Sequence, residues 1–166
     1  MELAGFSTVV VATLAARFLK GGRGEPQPMP PTTGKFVECS LNFKGQLSGS
    51  MQDVGARVTE ALKGAGFGVL TTIDLAGKFK EKLGKDIPPC IILGACNPKL
   101  AYGMYQVNTD IVSLLPCNTV LREVAPGTVS VEVAKPSVLM KVLGDDALTE
   151  AALEADDILR AAITAL

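Results

Sequence analysis

The sequence predicts an α+β domain, a two-layer sandwich in which helices pack on one face of a mostly antiparallel sheet. Three features of residues 35–166 lead to this prediction. Strand-like and helix-like segments alternate, two strand-like segments flank Ala125-Pro126-Gly127, and the last segment is a long amphipathic helix. Helices on one side of such a sheet would bury their apolar stripes together. A ferredoxin-like variant is the alternative within this class.

The first strand is predicted at residues 35–43, where apolar and polar residues alternate. A helix follows Ser50, because Ser50 and Asp53 resemble a capping box and the apolar residues after them recur at helical spacing. We expect Gly64 to end this helix, since glycine adopts the left-handed end conformation without steric cost. Residues 66–74 are apolar on both faces, which predicts a central strand.

Asp74 can cap a short helix that ends at Gly84. Residues 90–96 form an uninterrupted apolar run, which predicts a buried strand. Asn97 and Pro98 start the next helix, because asparagine caps free amides and proline at the first helical position loses no hydrogen bond. The hairpin and a closing helix complete the domain, and one face of that helix carries Leu148, Ala152, Ala155, Leu159, Ile163 and Leu166.

Residues 1–34 are predicted to form an apolar N-terminal segment and a linker outside this domain. The uncharged run at residues 3–16 is shorter than the roughly 20 residues that a membrane-spanning helix needs. Residues 21–34 are rich in glycine and proline, as is typical of a linker. The segment 3–19 is the candidate for membrane contact. We expect an intracellular, cytoplasmic protein, with a membrane-anchored or organelle-targeted form as the alternative.

The composition argues against several kinds of chemistry. The chain has no histidine, which excludes Ser-His-Asp and Cys-His catalysis and imidazole metal ligands. Its formal net charge is −1, and no basic stripe with interleaved aromatic residues occurs, so we predict no nucleic-acid partner. Cysteines stand at positions 39, 90, 96 and 117 without a Cys-x-x-Cys pair, so neither a zinc ribbon nor a thioredoxin-type motif is present.

The candidate site lies around Cys96 and Cys117. Cys96 directly precedes the predicted helix start at Asn97, where free amides and the helix dipole favour a thiolate or a bound anion, with Lys99 near enough to assist. Asp74 is a further candidate, because it ends a predicted central strand, where sheets often place functional groups. Each candidate also has a purely structural interpretation, as a small buried cysteine or as a helix cap.

Three hypotheses of function follow. The first is a domain that binds a small ligand near Cys96, Asn97 and Cys117. The second is a thiol-based redox pair or a soft-metal site, with Cu(I) or Zn²⁺ held by Cys96 and Cys117; further ligands would have to complete a zinc site. The third is a membrane-associated structural or assembly module. The sequence names no cofactor and no reaction.

Three stretches resemble the domain-of-unknown-function 302 family. They read ALKGAGFGVLTTIDL, GACNPKLAYGMYQVNTDIVSLLPCNTVLREVAPGTVSVEVAKPS and EADDILRAAITAL. The resemblance covers residues 35–166, and the family pattern falls here on Gly66-Phe67, Asp74, Asn97-Pro98 and Leu115-Pro116. It implies a compact two-layer α+β domain and, as in prokaryotic members, a homodimer; it implies no activity. Members differ at the two cysteine positions, which implies that the fold does not need the thiols.

Overall fold

The computed structural model describes residues 36–166. The apolar segment 3–19 and the linker 21–34 lie outside the described residues, as do the hypotheses that depend on them. Within residues 36–166, no helix has both the length and the apolar character needed to cross a membrane.

The described chain contains one six-stranded sheet and five α-helices, which confirms the α+β class. The strands are β1 (Val37–Glu38), β2 (Asn42–Ser48), β3 (Gly68–Asp74), β4 (Cys90–Cys96), β5 (Cys117–Ala125) and β6 (Thr128–Ala134). The helices are α1 (Met51–Gly64), α2 (Leu75–Leu83), α3 (Pro98–Val107), α4 (Pro136–Met140) and α5 (Asp146–Thr164), with 3₁₀ turns at Thr109–Leu114 and Lys141–Leu143. All neighbouring strands are antiparallel, in the order β1-β2-β6-β5-β4-β3.

One face of the sheet packs against α1 and α5. Alternate residues of a strand point to the same face, and in β6 this places Val129, Val131 and Val133 in the core. The predicted stripe of α5 is buried opposite them, through residues such as Leu159 and Ile163. Each fully buried side chain of this kind stabilises the fold by about 1.5–3 kcal/mol relative to an exposed one.

A second, smaller apolar cluster fixes the position of α3. Met104 of α3 packs in it with Met140 of α4, and the N-terminal half of α5 contributes Leu148 and Ala152. These residues are all buried, so α3 lies beside α5 at one end of the sheet. The candidate site forms between these two helices.

The predicted helix starts are confirmed. The side chains of Ser50, Asp74 and Asn97 each accept hydrogen bonds from backbone amides in the first turn that follows. The end of α1 differs from the prediction. Gly64 is its last residue, but the left-handed conformation is adopted by Gly66, at φ 81°. A Cβ at Gly66 would lie 3.0 Å from Asn97 Nδ2, so glycine also allows this close approach.

The strand predicted at residues 35–43 was placed too early. β1 has only two residues, a turn follows in which the Cys39 amide donates to the Asn42 carbonyl, and the long strand is β2. The sequence pattern does not reveal β2 because Gly45 occupies one of its inward positions and so interrupts the alternation of apolar and polar residues. The Phe36 ring fills that space, since a Cβ on Gly45 would lie 2.8 Å from it.

The prediction that residues 66–74 form a central strand is wrong. Among residues 36–166, β3 is the last strand of the sheet and pairs only with β4. Apolar residues on both faces are typical of a strand covered on both sides, whereas Leu70 and Ile73 are 66% and 44% exposed.

The helix α4 was not predicted, and its start is capped from another part of the chain. Lys135 precedes α4 and supplies no side-chain cap. Instead, Asp156 of α5 accepts from the Ser137 amide through Oδ1 at 3.1 Å and from Ser137 Oγ through Oδ2 at 2.5 Å. Asp156 is only 7% exposed, so these bonds satisfy a buried carboxylate.

Replacing Asp156 by alanine is expected to destabilise the fold strongly, because the Ser137 amide and hydroxyl would lose their acceptor inside the protein. We expect a loss of about 2–3 kcal/mol in the free energy of unfolding, measured by urea denaturation. The neighbouring Asp157 is exposed and pairs with Arg160 on the surface, so Asp157→Ala is a matched control. Its cost should stay below about 0.5 kcal/mol. Equal losses in the two variants would contradict the capping role.

Candidate functional site

The sheet brings Cys96 and Cys117 to the same place. Cys96 is the last residue of β4, and Cys117 is the first residue of β5. The two strands are paired, with Ala95 opposite Cys117. Both cysteines are free thiols and both line one small, partly open cavity. Two residues separated by twenty positions in the chain therefore become neighbours through strand pairing.

The cavity that the two thiols line is too small to hold an organic ligand. Its volume is about 10 Å³, and a single water molecule needs about 10–15 Å³ on this measure. It is lined by Phe67, Cys96, Asn97, Leu100, Ala101, Met104, Leu115, Cys117, Pro136 and Ala155. The cavity therefore has room for one water molecule at most.

A much larger groove lies between α3 and α5. Its volume is about 550 Å³, within the range of about 300–1,000 Å³ that is typical of small-molecule sites. The lining residues are Asn97, Lys99, Leu100, Gly103, Met104, Ala151, Glu154 and Ile158. Asn97, Leu100 and Met104 border both spaces, so they separate the groove from the thiols.

The groove is mostly apolar but carries one charge on each side. Lys99 comes from α3 and Glu154 comes from α5. Among residues 36–166, neither side chain forms a salt bridge with an oppositely charged partner. A ligand in the groove could therefore meet a cation, an anion and an apolar surface within one site.

The start of α3 offers no free amide to an anion. Asn97 Oδ1 accepts from the amides of Lys99 and Leu100 at 3.1 and 3.2 Å. The Asn97 carbonyl accepts from the amide of Ala101 at 2.9 Å, and Pro98 has no amide hydrogen. The expected anion site would have to displace the Asn97 side chain, so Lys99 Nζ is the cationic group that a ligand could reach directly.

The expected lowering of the Cys96 pKa is wrong. Burial raises the pKa of the Cys96 thiol above its ordinary value. For Cys117, burial, the charge of a Cys96 thiolate and the Asp156 carboxylate together raise the pKa to about 11. Both thiols are therefore protonated at neutral pH, and the thiolate is the form that attacks electrophiles and binds metals.

Asp74 lies away from the other candidate residues. It ends β3, whereas the residue of β3 that pairs with Cys96 is Gly68, at the opposite end of the strand. Its side chain caps α2 by accepting from the Gly77 amide at 2.9 Å. In the part of the chain from residue 36 onward, no three cysteine or carboxylate side chains come together as a potential metal site.

Sequence reasoning missed the residues that α5 contributes to the groove. Ala151, Glu154 and Ile158 follow one another at helical spacing, which is a signal that they share a face of α5. The predicted core stripe of α5 lies on the adjacent face, and nothing in the sequence indicates that α3 packs alongside. The glycine at position 103 was missed for the same reason.

The raised pKa of Cys117 predicts a loss of stability in alkali. The folded state keeps the proton to about pH 11, whereas the unfolded chain releases it near pH 9, so ionisation favours the unfolded chain between these values. We expect the free energy of unfolding to fall by on the order of 2 kcal/mol across this window. Urea denaturation should show this fall in the wild type and in Cys39→Ala but not in Cys117→Ala. Parallel curves for wild type and Cys117→Ala would contradict it.

The protonated state of the thiols also predicts slow alkylation. In the native protein at neutral pH, iodoacetamide should modify Cys117 only after unfolding, because this side chain is buried and neutral. Cys96 is partly exposed and should react no faster than an unperturbed thiol. Mass spectrometry of each cysteine-containing peptide measures both rates. Rapid labelling of either residue below pH 7 would instead indicate a reactive thiolate.

Comparison with known proteins agrees with the sequence motifs and the fold. A family model described as domain of unknown function DUF302 matches residues 43–166. The crystal structure of an uncharacterized conserved DUF302 protein from Bacillus stearothermophilus is similar, with 32% sequence identity and a TM-score of 0.69 over 75% of this chain and 96% of that chain. No curated protein matches. The resemblance seen in the sequence is confirmed, and the chain belongs to the DUF302 family.

Proposed function

We propose that this protein binds a small molecule in the groove between α3 and α5. The groove has the volume of a ligand site, whereas the cavity that contains the thiols does not. Asn97 and Lys99, two residues of the predicted site, line this groove. Cys96 and Cys117 do not line the groove and therefore lie outside the proposed ligand site.

The observation that carries the proposal is the glycine at position 103. Gly103 lies in the interior of α3, where glycine is less favourable than alanine by about 1 kcal/mol. No atom of residues 36–166 lies within 4 Å of a Cβ built on this residue, so packing within this part of the chain does not require glycine here. Gly103 lines the groove. A bound ligand that approaches the α3 backbone would explain why this position has no side chain.

The lining of the groove indicates the chemical class of the ligand. Leu100, Met104 and Ile158 supply an apolar surface, and Lys99 and Glu154 supply opposite charges. An apolar body that carries a charged group, such as a carboxylate facing Lys99, would use both features. The neutral thiols behind Leu100 and Met104 support a thiol-based redox or soft-metal function less well.

The test is to replace Gly103 by a larger residue, whose side chain would occupy the groove. In Gly103→Leu the new side chain enters open space, so the fold should be kept and the helix strengthened, because leucine is a better helix former than glycine. The probe is 8-anilinonaphthalene-1-sulfonate, which combines an apolar body with one anionic group. We expect fluorescence titration to show 1:1 binding to the wild type and at least about tenfold weaker binding to Gly103→Leu, which corresponds to 1.4 kcal/mol.

Gly64→Leu is the matched control. Gly64 also lies in a helix, at the end of α1, and a Cβ built there likewise has no neighbour within 4 Å. This variant should bind the probe like the wild type. Unchanged binding by Gly103→Leu, or equal losses in the two variants, would contradict a ligand site in the groove.

A further inference from the structure

The helix α2 carries an apolar stripe that is largely exposed. Leu75, Phe79 and Leu83 recur every four residues, so they lie along one side of the helix. Leu75 is half-buried, whereas Phe79 and Leu83 are 37% and 66% exposed, and Ile87 beyond the helix is exposed as well. From residue 75 to residue 89 no side chain is buried. The outer part of the stripe is therefore available for a contact with another surface.

Lysines flank this stripe on both sides. Successive residues of a helix are about 100° apart, so Lys78 and Lys82 lie on one side of the stripe and Lys80 lies on the other. Glu81, the only acidic residue of α2, lies on the opposite side of the helix from Phe79. An apolar stripe bordered by lysines is typical of a helix that lies in the plane of a membrane surface.

The segment has an excess of positive charge, although the chain as a whole does not. The formal net charge of the chain is −1, whereas residues 75–89 contain two acidic residues and four lysines, at positions 78, 80, 82 and 85. The carboxylate of Glu81 pairs with both Lys78 and Lys82, at 3.0 and 2.6 Å, so one negative charge faces two positive charges. Exposed pairs of this kind contribute little to stability. The lysines can therefore turn to another anion at little cost.

We infer that α2 binds the surface of a membrane that contains anionic lipids. The apolar stripe enters the boundary between head groups and acyl chains, and the lysines extend their long stems to the lipid phosphates. This surface differs from the ligand groove between α3 and α5, because none of the residues that line the groove belongs to α2. The inference is therefore independent of the proposed ligand site.

The composition of the segment favours a lipid surface over an acidic protein as the partner. All four cationic residues between positions 75 and 89 are lysines. Protein–protein interfaces are depleted in lysine and enriched in arginine, tyrosine and tryptophan. Phe79 is the only aromatic residue of the segment. A lysine is a compact charge on a flexible stem, which suits lipid head groups that have no fixed positions.

Sedimentation with lipid vesicles tests the inference on the full-length chain. One set of vesicles contains phosphatidylserine and phosphatidylcholine in equal amounts, and the other contains phosphatidylcholine alone. The charge variant is Lys78→Gln with Lys82→Gln. The apolar variant is Phe79→Ser with Leu83→Ser. We expect each variant to bind the mixed vesicles at least about tenfold more weakly than the wild type, because two lysines near an anionic surface, or two apolar side chains in its boundary, contribute at least this much.

Each variant has a matched control at exposed positions on other elements. Lys63→Gln with Lys141→Gln removes two exposed lysines. Val142→Ser with Leu153→Ser removes two apolar side chains that are 77% and 51% exposed. Both controls should bind the mixed vesicles like the wild type. Every protein compared retains residues 3–19, so a contact of that segment with the vesicles is common to all of them.

Two further measurements establish the cause and the place of binding. Raising the salt concentration from about 0.1 M to about 1 M shortens the Debye length from about 10 Å to about 3 Å, and this should weaken binding to the mixed vesicles. The amides of residues 75–83 should exchange hydrogen more slowly with mixed vesicles than without them.

Several results would overturn the inference. One is a wild type that does not bind the mixed vesicles, in which case the exposed surface of α2 would belong to a protein partner. Another is a wild type that binds both kinds of vesicle equally well. The others are α2 variants that bind like the wild type, controls that lose as much binding as the α2 variants, and exchange at residues 75–83 that the vesicles do not change.

Discussion

The burial of one face of the sheet under α1 and α5 is the constraint on which the other features depend. The inward residues of β2, β5 and β6 meet the apolar stripe of α5 across a single layer. Because β5 must keep its register against β4, the end of one strand and the start of the other lie side by side. This register places Cys96 beside Cys117 and directs the chain into α3. The position of α3 against α5 then leaves the groove open between them.

The same constraint explains why the thiols are poor candidates for chemistry. Strand ends that adjoin a core are partly desolvated, and desolvation disfavours the charged form of a thiol. At Cys96 this effect outweighs the attraction that a helix start exerts on a negative charge, since the amides of Lys99 and Leu100 are already bonded to Asn97. The buried carboxylate of Asp156 adds a further unfavourable charge near Cys117.

Local signals in the sequence were sufficient for most of the helices and strands and for part of the site. The caps at Ser50, Asp74 and Asn97 were predictable because a capping side chain bonds to amides within the next turn of the same helix. The cap of α4 was not predictable, because Asp156 lies nineteen residues away from Ser137 and on another helix. In the same way, Lys99 was found through its neighbour Asn97, but Glu154 has no signal that connects it to α3.

The sequence by itself determined the α+β class, the hairpin, and the order and starts of the helices other than α4, because these depend on residue spacing and on contacts within a few residues. Only the tertiary structure decided which strand forms the edge of the sheet, which residues face the groove, and that the thiols are neutral. Leu70 and Ile73 are exposed at the edge of the sheet. The same apolar residues at the same positions would fit a strand that is covered on both faces. Strand order and desolvation arise from contacts between distant residues, and a local pattern carries no information about them.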